Sequence, residues 1–400
     1  MTLLRLVFRS LRQHALSTLV TAASIALAAG LLMTVWVVKT QARAAFADTT
    51  SGFDAVLGAR GSRLQLVLNA LFHLDASPGN IAGAEYENLR RHPAVKTAIP
   101  IAVGDSYNGW RIVGTVPELF QVQSGAEPAY PLEPGGRVFA PDAHEAVIGS
   151  AVAERLGWGL GSHFHPEHGL AEEGAHEHEE EYTVVGRLQP TNTPADRVIW
   201  IPLHGVQTMS GHNPQAASEI SAVLLQFRAP TAGMMLDRQI NRTGGSLTLA
   251  FPVGAVVAEL FNRMGWVERL LGLVAYLVAI VAAASVLASI HASLHARRRD
   301  LAILRALGAR RRTLFGLVVS EAAVIGALGS LAGFAVYLAL LSGVAQVLRG
   351  QTGVVLEVTL ADPVLWRVPL ALTGLSAVAG LVPAWRAYRT PVADNLAPES

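Results

Sequence analysis

The sequence predicts an α-helical membrane protein. Four transmembrane helices are arranged as one plus three, and a large extracytoplasmic mixed α/β domain lies between the first and second. Three observations carry this. The 400 residues are 51% hydrophobic and only 15% charged, with a mean hydropathy of +0.38, values typical of integral membrane proteins. Apolar runs long enough to cross a bilayer occur once near the start and three times after residue 269. Residues 40–269 carry 16 basic and 24 acidic side chains, whereas residues 291–313 carry 7 basic and 1 acidic. Dense arginine stays on the cytoplasmic face, so the acidic bulk is expected across the membrane.

In chain order, residues 1–15 contain Arg5, Arg9 and Arg12 and read as a cytoplasmic N-terminus. Residues 16–38 are 23 uncharged positions, the first transmembrane helix. The run exceeds the roughly 7–15-residue core of a signal peptide and no small-x-small site closes it, so an uncleaved anchor is expected. Residues 39–269 are expected to form one large outer domain. Within it Arg111–Val116, Thr183–Leu188, Val198–Ile201 and Ser221–Phe227 are β-branched or aromatic runs between turn formers, as strands are. Ala84–Arg91 and Ser150–Leu156 read as helices, the second stopped by Gly157. Lys39–Phe53 and Gly254–Arg269 have helical spacing and are expected to extend the flanking spans as a stalk. Residues 270–290 are the second span, 291–313 a cytoplasmic loop, 314–341 the third span and 342–363 an outer connector. Residues 364–383 are a weaker fourth span, interrupted by Arg367 and Pro369, and residues 384–400 end in the cytoplasm. No internal repeat is visible.

Seven arginines lie between Ala296 and Leu314, where Leu301, Ile303, Leu304 and Leu307 are spaced roughly helically. The result is a basic amphipathic helix at the inner membrane face, placed to receive force from a soluble partner. Arginines that only fix topology and hold anionic lipid, each contributing about 1 kcal/mol, are the plainer reading. The ordered apolar face and the helix-stopping Gly308 favour a docking element.

Several chemistries are excluded. Without cysteine there are no disulfides or thiolate ligands. The two lysines, Lys39 and Lys96, follow no Gly-x-x-x-x-Gly pattern, so the chain has no phosphate-cradling Walker loop. No Gly-x-Ser-x-Gly elbow frames Ser62, Ser106 or Ser150. The chain is expected to catalyse nothing and to bind no nucleic acid.

Two further features carry chemistry. Glu321 is a carboxylate inside the third span, costly there unless it pairs or functions. Near it Gly326, Gly329 and Gly333 include a GxxxG spacing that lets helix backbones approach closely, in this chain or with a second copy. The segment from His163 to Glu181 holds His163, His165, His168, His176 and His178 among a run of glutamates. Imidazole and carboxylate together suit zinc, copper or nickel. The spacing fits no rigid closed site, so a labile metal loop, a solvated acidic hairpin and a pH-responsive segment all remain open.

At Arg299-Asp-Leu-Ala-Ile-Leu-Arg-Ala-Leu-Gly-Ala309 the chain resembles the Arg-Glu-Ile-x-x-x-Arg-Ala-x-Gly-Ala signature of FtsX-like permeases. These include the MacB and LolC/LolE type permeases of the ABC superfamily. Asp300 stands at the usual Glu. Pro383-Ala-Trp-Arg-Ala-Tyr-Arg-Thr-Pro-Val-Ala-Asp-Asn-Leu-Ala397 is similar to the family's terminal pattern, with Asn395 at the usual Ala. Val147-Ile-Gly-Ser-Ala-Val-Ala-Glu-Arg-Leu-Gly157 is similar to a strand–helix unit of the MacB-like periplasmic core. The resemblance implies a multi-pass protein of the bacterial inner membrane, both termini cytoplasmic, paired with a second permease copy or a paralogue. It also implies a cytoplasmic ABC ATPase that holds ATP and Mg, docked on Arg298, Arg299, Asp300, Ile303, Arg305, Leu307 and Gly308. The implied mechanism is mechanotransmission: ATP-driven closure moves stalk helices and the outer domain, serving export or extraction of a hydrophobic, peptide or lipoprotein-like cargo, with metal-linked work a further option. Membrane lipids and a periplasmic protein complete the expected partners. The rival reading is a membrane-anchored periplasmic sensor or scaffold that binds divalent metal through the His-rich loop without transport.

Overall fold

The computed structural model describes residues 3–13, 15–48, 52–169, 177–210, 218–242, 244–306, 308–352 and 362–389. These fall into two compact units. A helical unit comprises residues 1–41, 265–346 and 356–400, and an α/β unit comprises residues 42–264 and 347–355. The chain opens with α1 (Leu3–Gln13) and the 34-residue α2 (Ala15–Asp48). The sequence reading carried this second helix to Phe53. Gly52, however, adopts φ +79°, a left-handed conformation outside any helix, and Phe53 is already buried in the α/β core.

Among the described residues, the α/β unit holds a ten-stranded mixed sheet, two small two-stranded ones and five short α-helices. The strands of the large sheet are β1 (Ala55–Ala59), β2 (Val95–Tyr107), β3 (Trp110–Thr115), β4 (Glu145–Ile148), β5 (His163–Phe164), β6 (Glu167–His168), β7 (Tyr182–Arg187), β8 (Val198–Pro202), β9 (Ala222–Phe227) and β10 (Leu247–Ala250). The order is β10-β1-β9-β2-β3-β8-β4-β7-β5, with β6 pairing separately along β2. β2 joins the two halves. Its first part pairs antiparallel with β9 (Ile101↔Ala222) and its last part with β3 (Val103↔Val113). β8 runs parallel to β3 and is buried along its whole length, which explains its unbroken apolar sequence: a strand covered on both faces does not alternate. Val198 and Trp200 enter one core with Phe72, Phe120 and Phe139, while Ile199 and Ile201 enter a second with Phe164 and Tyr182.

The helices of this unit are α3 (Arg63–Ala70), α4 (Gly83–Arg90), α5 (Ser150–Leu156), α6 (Leu203–Thr208) and α7 (Pro230–Arg242). Ser62 caps α3 through its hydroxyl, which accepts from Gln65 N–H. Gly157 closes α5 at φ +68°, the left-handed cap expected of glycine there.

Among the described residues, four long apolar helices meet the length and hydropathy needed to cross a membrane: α2, α8 (Val253–Ala296), α10 (Arg311–Thr352) and α11 (Val364–Arg389). Between α8 and α10 lies the short α9 (Arg298–Ala306). At 1.5 Å per residue the 44 residues of α8 extend about 66 Å, twice the roughly 30 Å hydrocarbon thickness. α8 starts at Val253, so the stretch read from sequence as a stalk is continuous with the span. α10 likewise runs on through residues 342–352. Asp362 caps α11, its carboxylate accepting from Val364 N–H at 2.9 Å. That helix continues past Pro369 and Pro383.

Inside the helical unit, glycines set the closest approach. A β-carbon at Gly333 would stand 2.6 Å from Ala29 Cβ, and one at Gly329 2.7 Å from Ile25 Cβ. The GxxxG face of α10 therefore packs on α2 of the same chain. Gly326 faces Ser376 and Thr373 of α11.

Candidate functional site

Two places gather chemistry, one in each unit. In the helical unit it is the arginine-rich connection. Arg297 sits at the break between α8 and α9, its N–H still reaching Ser293 O at 3.2 Å. α9 ends before Gly308, whose φ of +97° reverses the chain and whose N–H bonds Arg305 O at 3.0 Å. Ala302 is buried, whereas Arg299 is exposed and Ile303 is 42% exposed. The helix thus keeps one face inward and presents a mixed basic and apolar face outward. The backbones of Arg298 and Asp300 belong to it, Arg305 lies in its last turn, and Leu307 lies outside the described residues. Arg310, Arg311 and Arg312 follow, all exposed.

Glu321 and Arg297 form an ion pair at 3.0 Å, with side chains 9% and 15% exposed. Buried Ser10 of α1 completes it: its hydroxyl donates to Glu321 Oε1 and accepts from Arg297 Nη2. Ser293 of α8 accepts from the same guanidinium nitrogen at 2.5 Å. A charged pair held this far from water needs such added hydrogen bonds to offset its desolvation. One cluster therefore ties α1, the end of α8 and α10 together. Sequence reasoning singled out Glu321 but neither Arg297 nor Ser10. Its one signal for them was the cost of a lone carboxylate in an apolar run, which demands a cation from somewhere.

In the α/β unit the site is a group of Asp105, His168 and His178, whose ligand atoms all lie within 4.8 Å of one another. Asp105 is buried near the end of β2, where the pairing with β3 shifts register between Val103 and Ser106. Such a bulge re-aims a side chain. β6 places His168 directly across from Asp105, and His168 Nδ1 lies 3.6 Å from Asp105 Oδ1. The returning strand segment is fixed by the Glu167↔Glu177 bridge and by His178 N–H to Pro166 O at 2.8 Å. This brings His178 Nε2 to 3.5 Å from the same Oδ1.

Ser210 sets the ring of His178, its carbonyl lying 2.6 Å from Nδ1. Glu180 in turn holds Ser210, accepting from its N–H and its hydroxyl, both at 2.8 Å. Burial pushes the Glu180 carboxyl up, but these two hydrogen bonds, together with its own backbone N–H and the neighbouring His178, leave it below the ordinary range.

Of the five predicted histidines, the structure brings His168 and His178 together. His163 instead accompanies Thr183 at 3.2 Å and Glu181 at 3.6 Å. His165 is exposed outside the group, and His176 lies outside the described residues. Asp105, the buried third member, was not foreseen as a ligand. A further histidine, His73, lies edge-on to Trp200. Burial, with a smaller push from the Arg111 cation, pulls it down to about 3.

Comparison with known proteins fits both units. Residues 16–242 match the model of the MacB-like periplasmic core domain, and residues 272–392 that of the FtsX-like permease C-terminal region. Among solved structures, the chain is similar to the periplasmic region of MacB from Actinobacillus actinomycetemcomitans. Identity is 10%, with a TM-score of 0.36, over 54% of this chain and 94% of that one. It is also similar to the extracellular domain of the noncanonic ABC-type transporter YknZ from Gram-positive bacteria. There identity is 16%, with a TM-score of 0.32, over 49% of this chain and 99% of that one. No curated protein sequence matches it. With more than half its length matched by one family model and its C-terminal helices by the companion model, this multi-pass membrane protein with an extracytoplasmic MacB-like domain belongs to the FtsX/MacB-type permease subunits of ABC transporters.

Proposed function

We propose that this chain converts ATP hydrolysis by a separate cytoplasmic ATPase into movement of its extracytoplasmic domain, without itself catalysing a reaction. Family membership implies the ATPase partner. The observation that carries the rest is α9, a basic helix hung between two membrane-length helices and closed by a left-handed glycine. It is the docking element, with Arg298, Arg299, Asp300, Ile303, Arg305, Leu307 and Gly308 as its contact residues. The buried Arg297–Glu321–Ser10 cluster stands where α9 leaves α8, so a push on α9 is delivered to α8, α10 and α1 together rather than absorbed by a loose joint. The arginines fix sidedness, with α9 and both termini in the cytoplasm. The working unit contains a second copy or a paralogue. Its cargo is a hydrophobic, peptide or lipoprotein-like molecule moved or extracted on the outer side of a bacterial inner membrane.

The test is charge reversal of Arg298, Arg299 and Arg305 to Glu in the full chain, co-expressed with its ATPase. The ATPase should no longer co-purify while the permease still reaches the membrane, and an unchanged complex yield overturns the reading. The cysteine-free chain also allows single-cysteine labelling. His165→Cys should react with an impermeant maleimide in cells whose outer barrier alone is opened. Arg299→Cys should react only once the inner membrane is breached. Labelling of both from one side removes the mechanism.

A further inference from the structure

We propose that Asp105, His168 and His178 form a binding site for a divalent transition metal of the zinc type, which pins the histidine-rich segment to the central strand of the extracytoplasmic sheet. Three observations independent of the loop's composition lead there. The first is spacing. Ligand atoms about 2.0–2.2 Å from a tetrahedral Zn²⁺ stand about 3.3–3.6 Å from each other. Both imidazole nitrogens lie 3.5–3.6 Å from Asp105 Oδ1, wider than a well-formed hydrogen bond and close to the separation of two ligands on one ion.

The second is the tautomer of His178. A backbone carbonyl only accepts, so at 2.6 Å from Ser210 O the Nδ1 of His178 must carry hydrogen and donate. In the neutral ring the lone pair is then on Nε2, and Nε2 is the atom turned toward Asp105. Two acceptors facing each other repel unless a donor or a cation stands between them, and a metal fills that place with both as ligands. An imidazole whose far N–H is anchored to a carbonyl is the usual outer support of a metal-bound histidine. Here the support has its own support, Ser210 being held by Glu180.

The third is access and donor type. Asp105 and the His178 side chain are 1% and 4% exposed, whereas the His168 side chain is 57% exposed. Two fixed ligands and one at the surface make a site that an ion can enter from solvent, with a fourth position left to water. Two imidazoles and one carboxylate suit borderline transition metals rather than calcium or magnesium.

The ligands come from three separate stretches of backbone: β2, β6 and the segment leading into β7. A bound ion would therefore cross-link the two arms of the His-rich segment to the strand that joins both halves of the sheet. Occupancy would stiffen that edge and raise thermal stability, because a ligand bound only by the folded form shifts unfolding by mass action. This reading is independent of the ATPase, since the metal test below involves no nucleotide.

The experiment uses the full-length, metal-stripped protein in detergent. Zn²⁺ is followed by calorimetry, and Co²⁺ by the visible absorption that reports tetrahedral coordination. Wild type should take up one ion per chain, show the Co²⁺ bands and gain in Tm. His168→Ala, a surface change that spares the fold, and the near-isosteric Asp105→Asn should each weaken binding roughly 100-fold and abolish the bands. A triple variant of His163, His165 and His176 to Ala should bind within about threefold of wild type. The proposal is overturned if wild type takes up no stoichiometric ion, which would leave a proton between His178 and Asp105. It is equally overturned if the triple variant loses binding while His168→Ala keeps it, which would mean diffuse adsorption on the loop.

Discussion

Replacing Glu321 by alanine should be among the most damaging single changes in the helical unit. The carboxylate sits 3.0 Å from Arg297 Nη2, with both side chains at least 85% covered. At an effective dielectric near 20 their attraction is about 5 kcal/mol, largely offset by the desolvation of both ions. Removing one partner forfeits the attraction and keeps the cost. Arg297 is left as an uncompensated buried charge, a loss of about 3–5 kcal/mol. For a unit of this size that lowers Tm by of order 10 °C, measurable by thermal unfolding of the purified protein in detergent. The triple variant Ser10→Ala, Arg297→Met, Glu321→Leu removes charge and polar partner together. It should regain most of the lost stability, because a buried pair exchanged for apolar side chains of similar volume is often neutral. In complex with the ATPase, however, the triple variant should hydrolyse ATP without driving the outer domain. A Tm for Glu321→Ala within about 2 °C of wild type would refute the energetic argument. Full coupling in the triple variant would refute the cluster's part in transmission.

Two further outcomes follow from particular residues. Gly333→Ala should destabilise, because its new methyl meets Ala29 Cβ at 2.6 Å, whereas Gly343→Ala, with open space around it, should be neutral or gain about 0.5–1 kcal/mol; equal Tm values would show that α10 does not pack on α2 this way. His73, held down at about 3 against an unfolded value near 6.5, binds its proton more readily in the unfolded chain, so its stabilising contribution is complete above pH 6.5 and is lost as pH falls toward 3. His73→Asn, which tolerates the positive φ at this position, should therefore make the fall in Tm between pH 6.5 and 4.5 shallower, and an unchanged slope would remove His73 from the acid response.

Much of the architecture was legible because the signals were local. Uncharged runs announced the long helices, and the β-branched stretches 111–116, 183–188, 198–201 and 221–227 each became a strand within about a residue. β2, the longest strand, was missed. Pro100 and Gly104 interrupt its pattern, and both residues ordinarily argue against a strand interior. Gly104 falls in the register shift against β3, whereas Pro100 sits within a continuous register opposite Val223 on β9, its carbonyl accepting from the Thr115 hydroxyl at 2.9 Å. Glycine's missing side chain matters least where a ladder is already interrupted.

That same irregularity hid the third member of the metal group. From sequence, the histidines between residues 163 and 181 formed a cluster by proximity alone, with nothing to rank them. What ranks them is register. Among the described residues, β6 sets His168 directly across from Asp105 and the Glu167↔Glu177 bridge brings in His178, whereas His163 and His165 stay outside the group. Asp105 lies inside the register shift between Val103 and Ser106, where the regular alternation of faces is broken. It lies about 60 residues earlier in the chain, separated by three other strands of this sheet, so no local spacing rule relates it to the loop. The buried Arg297–Glu321 pair was hidden by a similar cause on a helix. Seven neighbouring arginines carry equal charge in the sequence, and nothing in that run marks Arg297 as one that meets Glu321. Composition thus states that a partner must exist for a costly group, and the packing of distant segments decides which residue it is.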